Sequence, residues 1–172
     1  MKLFQLTAFS LLLLGTTIFS SCEKDDDASD KPKEHVKGDI ALTGAQSVPA
    51  TTSPATGTLW VSYSEKTHML DYEFNWAGLR DTIVGISIHG PAPMSFASAT
   101  VKQLLPGFTN SAANLKPNQA AYPYLGGSYK GSVLIDGANL KQEELLNMLY
   151  YISIRTKAFP TTGEIRAQIR FR

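Results

Sequence analysis

Four polar residues, His89, Arg155, Glu164 and Arg166, form the best set in this chain for chemistry or recognition. An imidazole, a carboxylate and two guanidiniums suit the capture of a polar or charged group. The same residue types suit an ion-pair ladder on a wet sheet face, with Glu164 between arginines. Each exposed pair there contributes less than about 1 kcal/mol. The ladder carries the greater weight, and the four are kept as a candidate binding face. Substituting Arg155 and Glu164 together is then expected to leave folding nearly intact. Nucleophilic chemistry lacks a framework, because Gly126-Gly127-Ser128-Tyr129-Lys130 has no closing glycine for a nucleophile elbow. No Gly-Lys-Ser/Thr phosphate loop occurs. Glu143 and Glu144 are adjacent on a helical segment and so do not face one site. The expectation is a protein that is not an enzyme and uses no cofactor. Trp60, Tyr122 and Tyr124 are candidate loop contacts, the types that stack on a sugar, whereas Trp76 falls on an apolar strand face and reads as core.

The elements that carry these residues alternate with period two. Leu70-Asp71-Tyr72-Glu73-Phe74-Asn75-Trp76 is the clearest strand, apolar at even positions and polar at odd ones. Val36–Thr43, Gly57–Tyr63, Thr82–His89, Ser128–Ile135, Tyr150–Thr156 and Glu164–Phe171 follow, separated by Gly, Pro and Asp turn chemistry. In the strands of the polar set, Val84, Ile86, Ile88, Ile152, Ile154, Ile165, Ala167, Ile169 and Phe171 share the apolar side. Ser87, His89, Ser153, Arg155, Glu164, Arg166, Gln168 and Arg170 then share the other. The fold class is all-β, an antiparallel immunoglobulin-like β-sandwich of about seven strands with one short helix. The helix spans Lys141–Leu149, with Asn139 as a candidate cap. Residues 93–124 read as a long loop, with a strand near Thr100–Leu104. The row Arg166, Arg170, Arg172 resembles protection of an edge strand against aggregation.

The N-terminus reads as an address. Met1-Lys2 and an apolar run through Phe19, with Leu11 to Leu14 at its centre, make a secretory signal over residues 1–21. The chain has 172 residues and one Cys, and that Cys follows Phe19-Ser20-Ser21. Phe-Ser-Ser-Cys resembles a lipobox, which implies cleavage before Cys22 and its acylation, a stable membrane anchor. Residues 22–35 are an acidic tether without apolar periodicity. The run Glu23 to Asp27 resembles the export signal of surface lipoproteins of some Gram-negative bacteria. The folded domain is residues 36–172. The formal charge of +1 excludes a polybasic nucleic-acid binder, and 43% hydrophobic residues exclude a disordered chain.

Several segments together resemble the CHRD domain, a module of secreted proteins. They are Leu42-Thr43-Gly44-Ala45-Gln46-Ser47-Val48-Pro49, Leu70-Asp71-Tyr72 with Trp76-Ala77-Gly78-Leu79, and Ile88-His89-Gly90-Pro91-Ala92. The last are Tyr151-Ile152-Ser153-Ile154-Arg155-Thr156 and Gly163-Glu164-Ile165-Arg166. The resemblance implies an immunoglobulin-like sandwich and no particular reaction. Family members commonly carry His at the positions of Ser87, His89 and Arg155. Three imidazoles on one face would suit zinc or copper. Here one is Ser and one is a permanently charged Arg, so no metal site is expected.

The expected function is a lipid-anchored cell-envelope protein of the outer membrane, surface-exposed or alternatively facing the periplasm, with a non-catalytic binding module. Its partner would be an envelope protein or polysaccharide. The alternatives are a copper- or zinc-binding protein or metalloenzyme with a degenerate histidine site, and a glycan-binding module built on Trp60, Tyr122 and Tyr124.

Overall fold

The computed structural model describes residues 31–97, 100–107 and 126–172. The chain divides into two units, Met1–Lys31 and Pro32–Arg172, and the sheet belongs to the second. Its strands are β1 (Glu34–Thr43), β2 (Thr56–Ser64), β3 (Met69–Ala77), β4 (Ile83–His89), β5 (Val101–Leu104), β6 (Gly126–Leu134), β7 (Tyr151–Thr156) and β8 (Ile165–Gln168). All the pairings are antiparallel, in the order β5-β4-β7-β8-β1-β2-β3-β6.

This corrects the expected seven-stranded sandwich. Among the described residues there are eight strands in one sheet, curled into a half-barrel. The join is narrow. β1 and β8 share one residue pair, Thr43 with Arg166, whereas β1 and β2 pair from Glu34–Ser64 to Thr43–Thr56. That single pair turns two four-stranded halves into one sheet.

The core lies inside the curl. Ile40 and Leu42 of β1, Leu59, Val61 and Tyr63 of β2, and Leu70, Tyr72, Phe74 and Trp76 of β3 form one half of it. Ile86 and Ile88 of β4, Ile152 and Ile154 of β7, and Ile165 and Ala167 of β8 complete the same cluster. The expected apolar sets of β3, β7 and β8 are buried and Trp76 is core, whereas Val84, expected on the apolar side of β4, is 46% exposed at the register shift between Ile83 and Gly85. Side chains alternate across a strand, so this packing fixes which residues point outward.

Local departures have local causes. β1 begins at Glu34, because His35 Nε2 meets Glu65 Oε1 at 2.8 Å and its ring stacks on Tyr63. The helix α1 covers only Gln142–Leu146. Met148 adopts a left-handed φ of 59°, which ends it early. Asn139 does not cap it, since its amide donates to the Lys102 carbonyl. Asp136 Oδ1 instead accepts the backbone N–H groups of Ala138, Asn139 and Leu140 and shapes the approach.

Gly90 shows how tightly the end of β4 is held. Its φ is +150°, and an added Cβ would lie 2.5 Å from the Leu149 carbonyl oxygen. Gly90→Ala is expected to cost roughly 2 kcal/mol or more through strain and overlap. Gly137→Ala, with φ +75° but nothing within 4 Å, should cost about 1 kcal/mol. Urea midpoints of the two variants give the comparison.

Candidate functional site

Three central strands build the site. Across β4, β7 and β8 the rows read Gly85–Arg155, Ser87–Ser153–Arg166 and His89–Tyr151–Gln168. These residues occupy the outer side of the sheet, opposite the isoleucines. That side is not wet. Ser87, Ser153, Arg166 and Gln168 are at most 2% exposed, and His89 is 7% exposed.

The cover over β8 comes from the segment after β4. Arg166 Nη1 donates to the Phe96 carbonyl at 2.7 Å, and Nη2 donates to Gln168 Oε1 at 2.7 Å and the Pro93 carbonyl at 3.2 Å. Gln168 Nε2 donates to the carbonyls of Ala92 and Met148. The guanidinium also lies 3.6 Å from the centroid of the Tyr151 ring, a cation–π contact. Burial pushes the Arg166 guanidinium below its usual range, and the Tyr151 hydroxyl opposes this. Arg166 is thus a buried clamp, not part of an exposed basic strip. β8 is not an edge either, since β7 and β1 flank it.

Glu164 corrects the expectation most strongly. It is 0% exposed, and among the described residues no ion pair joins it to an arginine. Its Oε1 accepts from the Ser53 hydroxyl at 2.6 Å and the Arg80 N–H at 2.8 Å, and its Oε2 accepts from the Thr156 hydroxyl at 2.7 Å. Its carbonyl accepts from Thr51 Oγ1 at 2.7 Å, and its N–H donates to the Ile154 carbonyl at 2.8 Å. The ladder with Glu164 between arginines is not formed. Glu164 is an interior strut and offers no contact surface.

His89 and Arg155 share a lining, two register rows apart. They line one cleft of about 430 Å³ with Tyr151, Ser153, Thr161 and Thr162, while Val48, Val101 and Pro160 supply apolar wall. The His89 ring stacks on Tyr151, with centroids 5.2 Å apart and planes 9° from parallel. Its Nε2 meets the Ser87 hydroxyl at 2.7 Å. Tyr151 is therefore flanked by His89 from β4 and by Arg166 from β8. Arg155 is half-buried, and its Nε–H is buried with no hydrogen-bond partner.

The family model of the CHRD domain matches residues 39–169. The chain belongs to the CHRD domain family. Comparison with curated proteins and with solved structures returns no match. In this CHRD domain the positions of Ser87, His89 and Arg155 lie together, two of them on the cleft and Ser87 bonded to His89. Among the described residues no group of three His, Cys, Asp or Glu side chains is placed to hold a metal ion.

Trp60 stands elsewhere in the CHRD domain and is not on a loop. It is 40% exposed on β2, in a shallow groove of about 650 Å³ across the outer side of β1, β2, β3 and β6. Asp39, Glu73, Asn75 and Lys130 line the same groove. Asp39 has a left-handed φ of 55° at a register shift in β1. Cys22, Tyr122 and Tyr124 lie outside the described residues.

Tyr151, Ser153, Thr161 and Thr162 were not singled out from the sequence. The signal that was available is size. A solvated sheet face usually carries long polar side chains, and Gly85, Ser87 and Ser153 are too short for that role. Short residues in register leave room for something to lie over the sheet.

The hydrogen bonds of Glu164 yield a stability test. Glu164→Ala removes the acceptor of one buried donor, Thr156, and of two part-buried ones, the Ser53 hydroxyl and the Arg80 backbone N–H, and is expected to cost about 2 kcal/mol. Glu164→Gln keeps one acceptor oxygen and should cost less. Chemical denaturation of both variants measures this, and an Arg155→Gln control should lose under about 1 kcal/mol.

Proposed function

We propose that this protein is a lipid-anchored CHRD module of the cell envelope that binds a partner without catalysis. The observation that carries the reading is the cleft over the outer side of β4 and β7, lined by His89, Arg155, Ser153, Thr161 and Thr162. A concave site with a few convergent polar groups is the usual form of a small-ligand or side-chain contact. Phe19-Ser20-Ser21-Cys22 and the acidic run after it support acylation at Cys22 and display on the outer membrane. The contact face is narrower than the four residues first grouped. His89 and Arg155 remain, whereas Glu164 and Arg166 hold the face up from within.

A photo-crosslinking residue at Thr162 in the full chain, on intact cells that make it, tests this. It should capture an envelope component, and the same residue at exposed Lys66 should not. Cys22→Ser should release the chain from the membrane fraction and abolish the capture. No adduct from Thr162, or equal adducts from both positions, removes the cleft as contact face.

A polysaccharide partner is a second reading, favoured by Trp60. An exposed indole beside Asp39, Glu73, Asn75 and Lys130 combines a stacking surface with hydroxyl-binding groups. Adding envelope polysaccharide should shift the tryptophan emission of the full chain. Trp60→Phe should lose most of that change, because Trp76 is buried.

A further inference from the structure

We propose that the cleft over the outer side of β4 and β7 binds an oxyanion, a carboxylate or phosphate group, on the Arg155 guanidinium. The proposal rests on the cleft being the contact face and adds the chemistry of what it takes.

The case begins with two arginines in adjacent strands. Arg166 has two backbone carbonyls, the Gln168 side chain and the Tyr151 ring around its guanidinium, and only its Nε–H lacks an acceptor among the described residues. Arg155 has none of these. It forms no ion pair among the described residues, and its Nε–H is buried without an acceptor. An arginine cannot shed its charge, so a half-buried one without an anion is costly to leave unmatched.

The nearby carboxylate does not serve it. Glu164 is bound by Thr156, which follows Arg155 in β7 and so faces the other side of the sheet. Both of its oxygens are occupied by Ser53, Arg80 and Thr156. Among the described residues the cleft lining includes no Asp or Glu. It includes the hydroxyls of Ser153, Thr161 and Thr162, which can donate to an anion.

The guanidinium is also seated. It packs against Gly85, where an added Cβ would lie 2.7 Å from Nη2 and 3.3 Å from Cζ. A bare backbone lets the planar fork lie against the sheet. A fork held this way suits two parallel bonds to one oxyanion. The cleft volume of about 430 Å³ fits a head group or a single sugar acid.

Side-chain NMR of the full chain in detergent micelles, labelled at arginine, tests this. Sodium phosphate, sodium glucuronate and neutral glucose are titrated at constant ionic strength, which removes general screening. The Arg155 Nε–H resonance should shift saturably with phosphate or glucuronate and not with glucose. A response to one anion alone says whether phosphate or carboxylate is the natural group. Arg155→Gln should bind about tenfold more weakly or worse, Arg155→Lys should fall between, and Arg172→Gln should match the parent. If Arg155→Gln fails to fold, Arg155→Lys decides. No saturable shift up to roughly 20 mM anion, equal shifts with glucose, or binding that survives Arg155→Gln and Arg155→Lys unchanged overturns the proposal. Where both anions fail but Thr162 still captures an envelope component, the contact face stands and the oxyanion falls.

Discussion

A carboxylate removed from water and given no cation must be held by hydrogen-bond donors alone, and Glu164 is in that position. Its donors arrive from three places. Ser53 comes from the stretch after β1, Arg80 from the link between β3 and β4, and Thr156 from β7. Its own carbonyl fastens Thr51, and its N–H fastens β7. One residue thus ties the start of β8 to segments far apart in sequence. The loop over Ser47–Ser53 is held against β8 because Glu164 needs donors and that loop supplies them.

The two halves of the sheet treat their outer sides differently. On β1, β2, β3 and β6 the outer side meets solvent, and Lys130 pairs with Glu73 there at 3.3 Å. On β4, β7 and β8 chain folds back over it, and carbonyls of that chain take up hydrogen bonds from the polar groups beneath, Arg166 and Gln168. Arg155 stands where the cover stops.

This difference marks what was legible in the residues. Leu70, Tyr72, Phe74 and Trp76 are buried as their spacing requires, and the strand that carries them is where periodicity puts it. The same rule assigned Glu164, Arg166 and Gln168 to an outer side, which for Arg166 and Gln168 is correct for direction and wrong for solvent, whereas Glu164, just before β8, has its carboxylate bound by Thr156. Alternation reports which residues share a side. It does not report whether a loop from elsewhere in the chain will lie over the polar one. The helix shows a second limit, since Lys141 to Leu149 has helical residue types, yet the left-handed turn at Met148 stops it after five residues. The single pair between β1 and β8 is a third, because nothing in either strand's own pattern announces its neighbour.

That narrow join also determines how the molecule would bear tension. A pull on the N-terminal end reaches β1, and β1 passes it to β2 along an extended register. A load on the cleft enters through β4 and β7 and passes to β8. The two paths meet at Thr43 and Arg166, at the bonds around Glu164, and in the side chains packed beneath. Stress between a held N-terminus and a held cleft thereby has to cross one crease.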